Sequence, residues 1–178
     1  MKNISFAVGS AYTALLALVI VCIDQLIKGY MPIKELDGNG IEKGFTYIAF
    51  VAWAVYFFTG TAKDGIRAAI GYVIGIAFSI GIVELAKLLA CTLSFAVPIA
   101  VFIIVFLVLY LDKVPWINYI PSMFVASGCF FGIINYVEGA EDNLCGAATV
   151  ELVYGFLGLL FGWITVTGKG LLAKAFEK

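Results

Sequence analysis

The sequence predicts an all-α integral membrane protein with about six transmembrane helices. Of its 178 residues, 63% are hydrophobic and only 13% are charged, against about half and about a quarter in an ordinary soluble domain. Apolar stretches recur at a length of about 20 residues, enough to cross about 30 Å of hydrocarbon. A water-soluble fold this short could not hide so much apolar side chain, because small domains leave much of their surface exposed. A bilayer removes that difficulty by covering the apolar helix faces.

The elements follow from the breaks between apolar runs. The first segment covers about residues 8–28, and a Gly-, Asp-, Glu- and Lys-rich connection occupies 31–43. The second covers 44–60, and Thr61-Ala62-Lys63-Asp64-Gly65 separates it from the third, about 66–89. The fourth covers 93–111 and closes on Asp112-Lys113-Val114-Pro115, and the fifth covers about 116–135. An acidic loop at 138–143 precedes the sixth, about 146–167, and 168–178 forms a short tail. The second and fifth segments are short and rich in Tyr, Trp, Ser and Gly, so tilted, broken, re-entrant and fully crossing forms are all open to them. Met1-Lys2 before an apolar run imitates a signal peptide. The run outlasts a typical h-region and no small-x-small cleavage signal ends it, so a retained first helix is expected.

Six crossings put the N-terminus, the second and fourth connections and the C-terminus on one side. That side holds seven basic residues (Lys2, Lys63, Arg67, Lys113, Lys169, Lys174, Lys178) against four on the other (Lys28, Lys34, Lys43, Lys87). The asymmetry predicts both termini in the cytoplasm. The far side collects Glu35, Asp37, Glu42, Glu138, Glu141 and Asp142. No basic tract marks a nucleic-acid partner. The lack of histidine removes imidazole acid–base chemistry and metal ligation, and four cysteines without CxxC spacing give no metal site. No cofactor and no enzyme activity are expected.

The chain also looks duplicated. Shifted by 72 positions, Tyr47-Ile48 falls on Tyr119-Ile120, Ala54 on Ala126, Phe58 on Phe130 and Gly60 on Gly132. Each half, about 8–89 and 93–167, runs from a plain apolar helix through a short aromatic one to a glycine-spaced one. Gly71 and Gly75 in the third segment, and Gly158 and Gly162 in the sixth, have the GxxxG spacing that lets helix backbones approach closely. Gly128 and Gly132 in the fifth are further packing candidates. Three-crossing units reverse direction when repeated, giving the inverted architecture of many transporters, with the site between the repeats. Glycines and aromatics that merely pack a bundle would leave the same pattern.

Asp24, Glu84 and Glu151 lie inside or near the ends of apolar segments, where charge is costly and a functional role is the default expectation. Asp24 has Lys28 at i+4 and Glu84 has Lys87 at i+3, spacings that equally allow surface ion pairs. Glu151 has no basic neighbour within a turn and is the strongest candidate. Tyr56, Thr59, Ser122 and Ser127 are candidates to line a solute path, whereas Tyr47, Trp116 and Tyr119 fit an interfacial belt. Cys91 and Cys145 fall in connections on the predicted outer side, where a disulfide between them is possible.

The stretch Trp53-Ala54-Val55-Tyr56-Phe57-Phe58-Thr59-Gly60 with Lys63-Asp64-Gly65, and its echo from Ile120-Pro121-Ser122 to Phe130-Phe131-Gly132, resemble a bacterial inner-membrane family known as domain of unknown function 1097. The resemblance covers about residues 44–166. It implies a bacterial cytoplasmic-membrane location and no particular activity.

These readings converge on a homo-oligomeric channel or passive permease for a small neutral or polar solute. The other reading is an accessory membrane subunit that transports nothing itself.

Overall fold

The computed structural model describes residues 2–176. Six α-helices make up the fold: α1 (Lys2–Ile27), α2 (Thr46–Thr59), α3 (Ala62–Ala90), α4 (Ala96–Leu109), α5 (Ile120–Tyr136) and α6 (Leu144–Phe176). Four stretches are long and apolar enough to cross a membrane: Phe6–Tyr30, Ala62–Ala90, Ala96–Lys113 and Leu144–Ala175. Helices α2 and α5 are the shorter pair, with 14 and 17 residues. At 1.5 Å per residue they reach only about 21 and 26 Å. Helix α6 continues through the stretch read as a tail. Of the basic residues used for orientation, Lys178 and the side chain of Lys2 lie outside what is described.

Local chemistry sets the boundaries. Gly60, with φ of 72°, ends α2 in the left-handed conformation that favours glycine. Thr61 then caps α3 by accepting from the Asp64 N–H at 3.1 Å, while its hydroxyl donates to the Asp64 carboxylate at 2.6 Å. Pro121 occupies the first turn of α5, where no N–H is missed. The Asn143 side chain accepts from Gly146 N–H at the start of α6. The polar connection after α1 contains a small hairpin, β1 (Glu35–Leu36) and β2 (Glu42–Lys43), antiparallel with Glu35 opposite Lys43. Glu42 pairs with Lys34, and Lys43 lies 3.6 Å from Glu35. The Asp37 carboxylate accepts from the Asn39 and Ile41 N–H groups, both at 2.8 Å, to shape the turn. Those N–H groups, Ile41 foremost, hold its carboxyl below the usual range.

The two short helices each bury one face against a long helix and leave the other exposed, as Phe57 and Phe58 of α2 and Phe124 of α5 show. Helix α2 packs chiefly on α6, and α5 chiefly on α3. Both contacts are made the same way. A β-carbon on Gly158 would overlap the Ala49 carbonyl and the Ala52 methyl; one on Gly75 would overlap the Met123 carbonyl and the Ala126 methyl. Gly162 is backed by Tyr56, and Gly71 by Ser122 and the Tyr119 carbonyl. All four glycines of the GxxxG pairs therefore work inside the chain. Gly128 and Gly132 do not: a β-carbon on either would meet open space. The paired contacts relate Ala49 to Met123 and Ala52 to Ala126, a shift of 74 (123 less 49) where residue identities gave 72.

Helices α1 and α4 cover the outside and leave broad apolar faces uncovered. Phe102 and Phe106 on α4 and Tyr110 just after it form an exposed aromatic row at i, i+4, i+8. The hairpin lies beside the C-terminal end of α5, and the ends of α3 and α5 meet the starts of α4 and α6 there. At the opposite end Lys63 and Arg67 stand 5.0 and 5.9 Å from the Trp116 ring.

Because the obstacle at Gly158 and Gly75 is backbone, Gly158→Leu and Gly75→Leu should each destabilise the protein by about 1–3 kcal/mol or abolish folding. Gly128→Ala should be neutral or slightly stabilising, since a helical glycine costs about 1 kcal/mol relative to alanine. Thermal unfolding in detergent micelles distinguishes them. Equal loss at Gly128 would contradict the packing described.

Candidate functional site

The apolar interior holds few polar side chains, so each needs a partner. At mid-bundle Ser79 on α3 donates to the Gly75 carbonyl at 2.7 Å and shares a 2.7 Å hydrogen bond with Ser127 on α5. With one proton per hydroxyl, Ser127 is the donor in that second bond. Ser122 donates to the Tyr119 carbonyl at 2.9 Å, and Thr59 to the Tyr56 carbonyl at 2.7 Å. Tyr56 is buried between Gly65 and Gly162. Thr59, Ser122 and Ser127 are thus tied to helix backbones or to the α3–α5 seam, while Tyr56 of α2 packs between α3 and α6.

The carboxyls separate into three cases. Glu84 is exposed and pairs with Lys87 at 2.9 Å, so it is a surface ion pair on α3 and belongs to no interior site. Asp24 is buried, and its partner is not Lys28, whose ammonium donates to the Glu42 carbonyl at 2.8 Å. Instead the Tyr154 hydroxyl donates to Asp24 at 2.7 Å, joining α1 to α6 across 130 positions of sequence. Gly44 makes room for this carboxyl, since a β-carbon there would overlap it. Tyr154 in turn packs its ring 5.9 Å from that of Phe45.

Glu151 is the third case. It is 0% exposed, and neither carboxyl oxygen has a hydrogen-bond partner. Its neighbours along α6, Val150 and Tyr154, belong to the buried core that Ile48 of α2, Tyr72 of α3 and Phe130 of α5 also build. The Tyr72 hydroxyl is also buried without a partner, and its ring lies against Gly155, one turn along α6 from Glu151. Sequence reasoning missed Tyr72, Tyr154 and Ser79. Each is an ordinary helix residue until the fold shows what it faces.

At the hairpin end, Tyr47 lines a cavity of about 220 Å³ together with Glu35, Gly132, Tyr136 and Val137. A wider polar depression of about 480 Å³ adjoins it, edged by Lys34, Lys43 and Glu138. Gly132, which packs nothing, thus borders a vestibule. Among the described residues no group of three or more His, Cys, Asp or Glu could hold a metal ion. Cys91 and Cys145 are exposed free thiols, with no disulfide between them.

Residues 39–169 match the family described as Protein of unknown function (DUF1097). The chain belongs to that family. The match takes in the whole of α2 to α5 and most of α6, including Glu151 and Tyr154, and leaves Asp24 on α1 outside it. No curated protein and no solved structure matches the chain.

Tyr154→Phe should leave the Asp24 carboxyl only the Gln25 amide, 3.4 Å away, and destabilise the protein by about 1–3 kcal/mol. Asp24→Leu combined with Tyr154→Phe should lose less than the sum of the two single changes. Unfolding in mild detergent measures the coupling. Strict additivity would mean that the hydrogen bond contributes nothing.

Proposed function

We propose that this DUF1097 protein is a channel or passive permease that carries a small neutral or polar solute across the bacterial cytoplasmic membrane. The observation that carries this reading is Glu151, a wholly buried carboxyl without a protein partner in the core that α2, α3, α5 and α6 share. An unsatisfied carboxyl inside an apolar bundle costs several kcal/mol if charged and is retained where a solute's donors can satisfy it. A cavity of about 220 Å³, lined by Tyr47 and Gly132, opens at the hairpin end.

The proposed architecture is six crossings in two inverted halves. Exchange of α2 with α5 and of α3 with α6 converts the α2–α6 seam into the α5–α3 seam, glycine for glycine and carbonyl for carbonyl. Tyr72 and Gly155 are 83 positions apart, as are Gly75 and Gly158, and they touch each other. Two equivalent positions in contact mark where a pseudo-two-fold axis would pass. Outer grooves also recur at opposite ends, one between α3 and α4 and the other between α6 and α1. In inverted repeats the solute site belongs at the interface between halves, and Glu151 has neighbours from both. Homo-oligomerisation belongs to the same proposal. With the GxxxG pairs engaged inside the chain, the outer faces of α1 and α4 remain for it.

Proteoliposomes should show faster solute entry than empty vesicles in stopped-flow light scattering with urea, glycerol, formate and ammonium salts. Glu151→Gln should slow the accelerated solute about tenfold or more, the scale of one lost charge-assisted hydrogen bond. No acceleration by folded protein would turn the reading to an accessory subunit. For orientation, Cys91 and Cys145 are native reporters at the hairpin end. With both termini cytoplasmic they should react with a membrane-impermeant maleimide in intact spheroplasts. Labelling only after permeabilisation would reverse the orientation.

A further inference from the structure

We infer that the groove between α3 and α4 at the hairpin end binds a phospholipid whose headgroup carries a primary ammonium beside its phosphate, as phosphatidylethanolamine does. Such a site needs a bilayer around the bundle but no solute flux.

Short side chains make the space. Helices α3 and α4 are joined by residues 91–95 alone, yet a groove of about 460 Å³ separates them. Ala86, Ala90 and Ala96 line it where larger residues would fill it, and Phe131 and Ile134 of α5 complete the wall. Along α3 the lining runs from Lys87 in to Ile82, about 8 Å of helix. The polar lining residues are Lys87, Asn135 and Glu141, all exposed near helix ends, and the rest of the lining is apolar. Ordered water does not suit such a wall, because a bound water needs about two to four polar partners. An acyl chain suits it, since it restores the dispersion contacts that an unfilled apolar wall forfeits. The volume falls within the range of about 300–1,000 Å³ typical of ligand sites.

The charges at the mouth select the headgroup. Lys87 supplies N–H donors for a phosphate, and Glu141 accepts from an ammonium. The ion pairs within the described residues involve Lys34, Lys43, Arg67 and Lys87, and none includes Glu141. Lys87 stands 2.9 Å from Glu84, so the mouth holds two carboxylates and one ammonium. That balance repels a headgroup that is anionic overall and favours one that brings a cation with its phosphate. Quaternary choline groups are held by aromatic cages, whereas Phe131 is the one aromatic among the described residues lining this groove. A primary ammonium instead offers N–H donors to the Glu141 carboxylate and the Asn135 amide oxygen. The groove between α6 and α1 at the opposite end is lined by Lys169 without an acid among the described residues, so it lacks this pairing.

The test is native mass spectrometry of the purified full-length protein in mild detergent. It would be titrated with phosphatidylethanolamine, phosphatidylcholine and phosphatidylglycerol of identical chains. A saturable phosphatidylethanolamine adduct is expected, about fivefold tighter than either other lipid, the upper scale of an exposed ion pair. Glu141→Gln should erase that preference, Lys87→Gln should weaken all three lipids alike, and Lys169→Gln should change nothing. Val97 lines the groove and is 59% exposed, so a larger ring there leaves the core intact. Val97→Trp should therefore remove the saturable adduct for every headgroup at an unchanged melting temperature. Equal affinity for the three headgroups, tighter binding of phosphatidylglycerol, or no saturable adduct on folded protein would overturn the site. So would a preference that survives Glu141→Gln, or an adduct that survives Val97→Trp.

Discussion

Two backbone contacts govern this fold: the Ala49 carbonyl against Gly158 and the Met123 carbonyl against Gly75. Apolar side chains in lipid give helices little reason to associate, so close backbone approach has to supply the attraction. Only glycine allows it at these two positions, since any side chain would have to displace a main-chain carbonyl. Once α2 lies against α6 and α5 against α3, the inner faces of all four helices build one core. The small residues Ala52 and Ala126 complete each seam, while Trp53, Phe130 and Tyr154 fill what remains.

That scaffold decides which polar groups are satisfied. Ser79 and Ser127 face each other because α3 and α5 come close, and their shared hydrogen bond closes the seam. Asp24 finds Tyr154 because α1 crosses α6. Glu151 lies in the core that α2, α3, α5 and α6 share, with neither carboxyl oxygen bonded. An interior that provides for every other buried carboxyl and serine leaves this one open. The difference lies in the partners supplied, since Asp24 and Glu151 are almost equally buried.

The two ends of the molecule are chemically unlike although the packing pairs them. The hairpin end holds the buried Asp24 and a depression edged by both lysines and glutamates. The other end holds Lys63 and Arg67 over Trp116, with Arg67 also 3.1 Å from Asp64. The two glycine seams share a packing plan, while the side chains at the two ends differ.

How much was legible in the sequence depended on whether the cause was local. The helices, their glycine and Thr61 boundaries and the family could be read directly, because apolar length and turn chemistry are properties of a single segment. The inward glycines of α3 and α6 were also visible, since their four-residue spacing is itself the signal. Gly128 and Gly132 carry similar spacing yet pack nothing, because α5 turns a different face to α3. Which carboxyl met a lysine, a tyrosine or nothing was settled only by tertiary structure. Lys28 is one turn from Asp24 in sequence, but the hairpin draws it to the Glu42 carbonyl, while Tyr154 arrives from the far end of the chain. The sequence by itself determined that the chain is helical, apolar and organised around close backbone contacts. The fold alone decided where the vestibule opens and which acid is left unpaired, because both depend on helix faces brought together from distant parts of the chain.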